Sequence, residues 1–295
     1  MQDDDWLARR FEENRPRLRA VAYRMLGSPT DADDAVQNAW LRLHQTDTDA
    51  IDNLAGWLTT VVGRECLHLL RSRRRRREEP LDPVAQFPDP VVTAVEDDDP
   101  VQQAMLADSV SMALLVVLDS LSPAERLAFV LHDMFGVPFD EIAPLVERTP
   151  AAARQLASRA RRRVRGHEPS GPGRDRARQR EVVEAFYAAV NEGDFAALLE
   201  VLDPAVVLRT DYGPNRPAAV YRGAQTIARQ SQAARGAELR AVMVNGVPGV
   251  VTVRGGRPVS LMAFTVVAGR IVAIDGIRDS GRVRRLTAGV IRFAR

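Results

Sequence analysis

Lysine is missing from this 295-residue sequence, and all 41 of its Lys and Arg positions are arginine. Arginine is the better bidentate partner for phosphates and guanine edges. A lysine-free, Ala- and Arg-rich composition also follows from a GC-rich genome, so composition alone does not establish nucleic-acid binding. Cysteine is nearly as scarce. The single Cys66 excludes an intramolecular disulfide framework, argues for a reducing cytoplasm and reads as apolar filler. The four histidines, His44, His68, His132 and His167, are dispersed and lack paired ligand spacing with that cysteine, so no metal site is expected. No Gly-rich phosphate cradle is present, and no cofactor is expected. No stretch approaches the roughly 18 apolar residues of a membrane span. Met1 to Asp5 carries three acids and no basic n-region. These absences together point to a soluble, cytoplasmic chain with no membrane partner.

What is there is organised in blocks. The length fits two or three compact domains, each with its own core. Five prolines and the acidic run Glu96–Asp99 mark a linker between about Glu78 and Pro100, expected to form neither helix nor sheet. Gly166–Gly173, dense in turn-formers, marks a second. The resulting boundaries are 1–79, a linker at 80–101, 102–166, a linker at 167–177, and 178–295.

In the first block Ala35, Val36, Ala39, Trp40 and Leu43 recur at helical spacing, with Thr30 as candidate N-cap and Asp33 three residues on. A second helix runs from about Leu54 and ends in Arg71–Arg77, six arginines in seven positions. Such a run is either a solvated charge cluster or a phosphate contact, and self-repulsion favours a polyanion. In the second block Phe139, Ile142, Ala143 and Val146 make a short helix and Glu147–Thr149 a turn. Pro150–Arg165 forms a further helix with Thr149 as N-cap and proline at its first position. This is helix-turn-helix spacing. Ala153, Leu156, Ala160 and Val164 share one face; Arg154, Gln155, Ser158, Arg162 and Arg165 share the other, suited to base edges and phosphates. A helical hairpin with a solvated basic face is the alternative.

The third block changes period. Two helices, around Val182–Val190 and Phe195–Leu202, precede strand-like runs at Val206–Thr210, Leu239–Asn245, Val250–Arg254, Val259–Val267 and Ile271–Ile274. Asn245-Gly246, Gly255-Gly256 and Ala268-Gly269 separate the later runs as hairpin loops. The expected fold class is therefore multi-domain: two all-α domains, the second with a helix-turn-helix, followed by an α+β domain whose curved sheet encloses a cavity.

Tyr23-Arg-Met-Leu-Gly-Ser28, Asp31-Ala-Asp-Asp-Ala-Val-Gln-Asn-Ala-Trp40 and Ala55-Gly-Trp-Leu-Thr-Thr-Val-Val62 resemble the second conserved region of extracytoplasmic-function RNA polymerase sigma factors. Leu121–Leu131, Phe139–Ile142 and Thr149–Ala160 resemble the fourth. With its appended domain the whole resembles the sigma J-like type, whose extension looks like the SnoaL or nuclear-transport-factor-two (NTF2) fold. The resemblance implies a transcription initiation factor whose C-terminal domain modulates activity in cis. It implies as partners the bacterial RNA polymerase core, through its beta-prime clamp helices and beta flap, and promoter DNA. It also suggests a small hydrophobic ligand in the C-terminal cavity. Asp33, Asp34, Gln37 and Asn38 would bind core polymerase. The loop Gln45–Asn53, with Asn53, Arg64, Arg71, Arg73 and Arg74, would hold the melted minus-ten element, while Arg154, Gln155, Ser158, Arg159 and Arg162 would read the minus-thirty-five element. Trp57 stands between core packing and base stacking, and Trp40 reads as core. The group often carries an Asp-Gly-Gly-Gly-Arg stretch and, near the end, an Asn-Pro-Asp-Lys-Leu stretch. Here Asp211-Tyr-Gly-Pro-Asn-Arg216 keeps Asp211, Gly213 and Arg216 as interdomain residues, whereas Asp279-Ser-Gly-Arg-Val283 departs from the pattern.

Two other classes compete. An enzyme in the third block would have to use Asp211, Tyr212, Asp275 or Asp279, without any histidine, and these carboxylates read better as hydrogen-bonded turn residues, so the chain is read as no enzyme. A stand-alone DNA-binding regulator would leave the Asp31–Trp40 helix and the Leu54–Arg77 basic helix without a purpose.

Overall fold

The computed structural model describes residues 2–47, 51–77, 87–95, 111–165, 176–214 and 216–291. They divide into two compact units, Met1–Asp82 with Leu115–His167, and Pro83–Leu114 with Glu168–Arg295. The first sequence block and the second from Leu115 onward therefore pack as one helical unit, while the described part of the first linker and residues 111–114, with Met112 in the core beside Val242 and Val251, go with the C-terminal block. Of the second linker, 167–175 lie outside the described residues, and 176–177 already belong to the helix that follows.

The helical unit opens with α1 (Gln2–Leu26), α2 (Pro29–Leu43) and α3 (Leu54–Arg77). Phe11, Leu18, Val21 and Met25 of α1 are buried, as are Val36, Ala39 and Leu43 of α2 and Leu58 and Val62 of α3. Cys66 is buried, and burial pushes its thiol well above the ordinary range, so it is filler rather than a reactive group. The cap of α2 is Ser28 and not Thr30. Pro29 presets the first helical φ, and the extended Ser28 accepts from the Asp31 N–H with its side chain. Trp40 is only half-buried, tilted on Phe11 at 4.8 Å and edge-on to His44 at 4.0 Å; Trp57 is also half-buried.

Next come α4 (Met112–Asp119), α5 (Pro123–Phe129) continued by a π turn at Val130–Met134, α6 (Phe139–Leu145) and α7 (Pro150–Val164). Ser122 and Glu125 form a reciprocal capping box at α5. The turn between α6 and α7 passes through Glu147 at φ +55°. The buried seam of α7 is Ala153, Ala157, Ala160 and Val164, with Leu156 half-buried. The expected seam had Leu156 in place of Ala157; small residues let α7 approach α5 closely. Helix α3 packs on α5 and α6. At this contact Gly63 faces three leucines, and a Cβ there would sit 3.2 Å from Leu131 and 3.4 Å from Leu127.

In the second unit, β1 (Val92–Thr93) precedes α8 (Arg176–Glu192), α9 (Phe195–Val201), β2 (Leu202–Asp211), β3 (Ala219–Arg222) and α10 (Ala224–Ser231), then β4 (Glu238–Val244), β5 (Val247–Arg254), β6 (Arg257–Val267), β7 (Arg270–Ile277) and α11 (Ser280–Thr287). The strand order is β1-β4-β5-β6-β7-β2-β3, antiparallel except for the parallel β2–β7 pair. Asn245 and Gly246 both have positive φ, as the tight hairpin predicted from that dipeptide requires. Strand alternation sorts the core into two faces. Val250, Phe264 and Ile274 meet Phe186, Tyr187 and Val190 of α8, whereas Val251, Leu261 and Ile277 meet Val283 of α11. Strand β3 and helices α10 and α11 were not among the sequence expectations.

The linker expectation needs correction. Its prolines exclude a helix but spare Val91–Thr93, and Val92 and Thr93 pair with Val244 and Met243 at the open edge of β4. Asn245 completes the join: its N–H donates to the Val91 carbonyl and its Oδ1 accepts from the Val91 N–H, both at 2.8 Å.

The close α3 contact yields a prediction. Gly63→Leu overfills it and should cost about 1–3 kcal/mol, read as a lower denaturant midpoint. An unchanged midpoint would mean that α3 does not rest on α5 and α6 in solution.

Candidate nucleic-acid interface

Helix α7 is built to present one polar face. Thr149 caps it by accepting from the Ala152 N–H, and its alanine seam is buried. Arg154, Gln155, Ser158, Arg159 and Arg162 are all exposed. Arg161 and Arg163 are tied to Asp133 and Glu125 at 2.5 and 3.2 Å, whereas Arg154, Arg159 and Arg162 carry no salt bridge among the described residues. Arg154 lies 5.3 Å over the Phe139 ring, which steers it without neutralising it.

Asn53 caps α3 through its Oδ1, which accepts from the Gly56 N–H. Arg64, Arg74 and Arg75 are exposed on the same helix. Arg71 reaches Glu147 at 3.1 Å and Arg73 reaches Asp31 at 2.7 Å. Partial burial raises the Asp31 pKa, but hydrogen bonds with Ser28 and Arg73 prevail and hold it below the ordinary carboxylate range. Residues 48–50 of the loop assigned to the melted strand, and the side chains of Arg76 and Arg77, lie outside the described residues.

On α2, Asp33, Asp34, Gln37 and Asn38 are exposed on the face opposite the buried Ala32, Ala35, Val36 and Ala39. Asp33 pairs with Arg19 at 2.6 Å and Asn38 donates to Glu65 at 3.5 Å.

Of the three residues expected to act between domains, Asp211 is bonded to the linker, Gly213 supports Asp211, and Arg216 lies elsewhere. Asp211 is buried; one carboxylate oxygen accepts from the Phe87 N–H and from Arg282, each at 2.7 Å, and the other from the Gly213 N–H at 2.8 Å. Gly213 has φ +88°, and a Cβ there would meet Asp279 at 2.6 Å. Arg216 instead stacks over Tyr212 at 4.0 Å and is exposed. The centre of the cluster is a residue the sequence reading missed. Arg282, nearly buried, binds Asp89 at 2.6 Å, Asp211, and the Phe87 carbonyl. It belongs to the stretch that departs from the family pattern, so no motif pointed to it. The other carboxylates weighed for catalysis are engaged structurally, Asp275 in a bidentate pair with Arg209 and Asp279 as the cap of α11. Among the described residues no group of ligands could hold a metal, and no helix is long and apolar enough to cross a membrane.

Family models for sigma-70 region 2 and sigma-70 region 4 match residues 10–76 and 111–164. The chain is 42% identical over 221 residues to the ECF RNA polymerase sigma factor SigJ of Mycobacterium tuberculosis, covering 74% of this chain and 70% of that protein. It is 39% identical over 212 residues to the probable ECF sigma factor SigI of the same species, covering 72% of each. The crystal structure of M. tuberculosis SigJ superposes with a TM-score of 0.72 at 34% identity, covering 93% of this chain and 97% of that one.

The Arg282 cluster predicts a measurable loss. Arg282→Met leaves the buried Asp211 carboxylate without its cation, at a cost of about 3 kcal/mol, and should speed chymotryptic cleavage at Phe87. Arg282→Lys should rescue neither, since one ammonium cannot reproduce the three-way fork. Unaltered melting and cleavage would show that the linker is held by β1 alone.

Proposed function

This chain belongs to the extracytoplasmic-function RNA polymerase sigma factors and directs transcription initiation, and we propose that it divides the work among surfaces defined by its own residues. Its partners are the RNA polymerase core and promoter DNA. The carboxylate and amide face of α2 docks on the clamp helices of the beta-prime subunit, while the region containing α5–α7 meets the beta flap. Helix α3 and the loop before it hold the melted minus-ten strand, with Asn53 and Arg64 nearest the bases and Arg71, Arg73 and Arg74 along the backbone. Helix α7 enters the major groove at the minus-thirty-five element, Arg154 and Gln155 toward base edges and Ser158, Arg159 and Arg162 toward phosphates. The observation that carries this reading is the pair of exposed faces, acidic and amide on α2, arginine and glutamine on α7, each backed by a buried seam.

The free chain cannot use both DNA surfaces as packed. The two promoter elements lie about 25 base pairs apart, ~85 Å of duplex at about 3.4 Å per base pair. Yet Arg71 near the end of α3 is bonded to Glu147, two residues before the cap of α7. The helical unit therefore opens along the contact of α3 with α5 and α6 when the holoenzyme binds a promoter. The C-terminal domain modulates this step in cis, because it grips residues 87–93 of the segment joining the two sigma regions. Its cavity takes a small hydrophobic ligand, and its role is binding rather than catalysis.

Run-off transcription with bacterial core polymerase on the promoter upstream of this gene tests the proposal. The intact chain should give a start-site-specific transcript. Arg154→Ala, and separately Arg73→Ala/Arg74→Ala, should reduce it about 5- to 100-fold, as expected for contacts of about 1–3 kcal/mol. Full activity of both variants would overturn the assignment of these surfaces.

A further inference from the structure

The C-terminal cavity carries chemical information about what it holds. It has a volume of about 160 Å³ and lies between α8 and the sheet, with Phe186, Val190, Leu208, Met262 and Ile274 among its apolar walls. That is far more than the ~10–15 Å³ a single water needs. Two hydroxyls on the wall are buried and have no hydrogen-bond partner among the described residues: Tyr187, 7% exposed, and Thr252, 3% exposed. Leaving a buried polar group unpaired costs about 1–3 kcal/mol. The expense recurs on both sides of the cavity, Tyr187 on α8 and Thr252 on β5, where a ligand can remove it. Burial also pushes the Tyr187 phenol well above its ordinary pKa, so it stays an O–H donor at physiological pH. The charged lining is one-sided. Arg254 and Arg278 border the cavity and are exposed, so they form its rim, and no carboxylate is among the lining residues.

We propose that this cavity binds a small anionic amphiphile: an apolar ring body against Phe186, Leu208 and Met262, oxygens bonded to the Tyr187 and Thr252 hydroxyls, and a carboxylate at Arg254 and Arg278. The proposal rests on the reading of the cavity as a ligand site and adds the ligand's charge and polar pattern. It also connects the site to the linker. Thr210 and Tyr212 line the cavity on either side of Asp211, and the Arg278 N–H donates to the Asp211 carbonyl at 2.7 Å. Since alternate residues of a strand face opposite ways, a ligand against Thr210 and Tyr212 bears on the backbone that aims the Asp211 carboxylate at Phe87 and Arg282.

Calorimetric titration of the full-length chain with 2-naphthoate, and with the uncharged 2-naphthamide, tests this. The acid should bind one per chain, about tenfold more tightly than the amide. Arg254→Gln/Arg278→Gln should remove that preference. Tyr187→Phe and Thr252→Val should each weaken the acid about fivefold while leaving the melting temperature of the free chain unchanged or higher, because each removes an unpaired buried hydroxyl. A lower melting temperature with unaltered affinity would mark these hydroxyls as structural and overturn the proposal. Equal affinity for acid and amide would overturn the anionic assignment but leave the cavity a ligand site. Failure of both probes to bind at 1 mM would overturn the ligand-site reading as well.

Discussion

Arg126 lies wholly inside the helical unit, with its Nε donating to the Arg24 carbonyl at 3.0 Å and its terminal nitrogen paired to Asp119 at 3.2 Å. Burial lowers its pKa, against the pull of Asp119. Arg24 is in the last turn of α1, where carbonyls have no intrahelical partner and the helix dipole is negative. The guanidinium of α5 thus caps a helix from the other sigma region. Taking a cation out of water is costly, so what the arrangement chiefly supplies is register: it fixes where α5 sits on α1. Gly63 among Leu127, Leu131 and Leu145, and Arg17 donating to the Phe135 carbonyl at 2.9 Å, extend the same contact. The opening proposed for promoter binding is the loss of this contact in the working complex.

The second unit applies a different constraint to the same problem. Its sheet edge at β4 takes in Val92 and Thr93, and Arg282 and Asp211 hold Phe87 and Asp89. An edge strand is normally a liability. Here the chain's own linker covers part of it, which couples the order of the linker to the integrity of the α+β domain. Thr210 and Tyr212, which border the cavity, adjoin Asp211 in sequence, so the ligand proposed for that cavity and the linker would bear on the same stretch of backbone.

Much of this was legible in the sequence because it follows from period and punctuation. The α2 and α7 faces obey 3.6-residue spacing, Thr149-Pro150 marked a helix start, and Asn245-Gly246 marked a hairpin. What was not legible depends on partners distant in sequence. The strand at Val92–Thr93 is too short to show a period and exists because β4 offers an edge and Asn245 a clamp. Arg282 is one arginine among 41 and acquires its role from two aspartates 193 and 71 residues away. The cap of α2 moved to Ser28 because Pro29 outweighed the acidic pattern, and Ala157 replaced Leu156 in the seam because close packing on α5 selects the smaller residue.

The opening of the helical unit is the central claim, and a distance measures it. Donor and acceptor dyes at Glu12→Cys on α1 and Glu141→Cys on α6, in a Cys66→Ala background, would report separation of the two sigma regions by energy transfer. In the free chain the dyes should lie within ~40 Å, the span of a compact unit of this size. In the complex with core polymerase and promoter DNA the separation should exceed ~60 Å, as the spacing of the two elements requires. Equal transfer in both states would contradict the account, because the packed unit would then itself be the promoter-binding form.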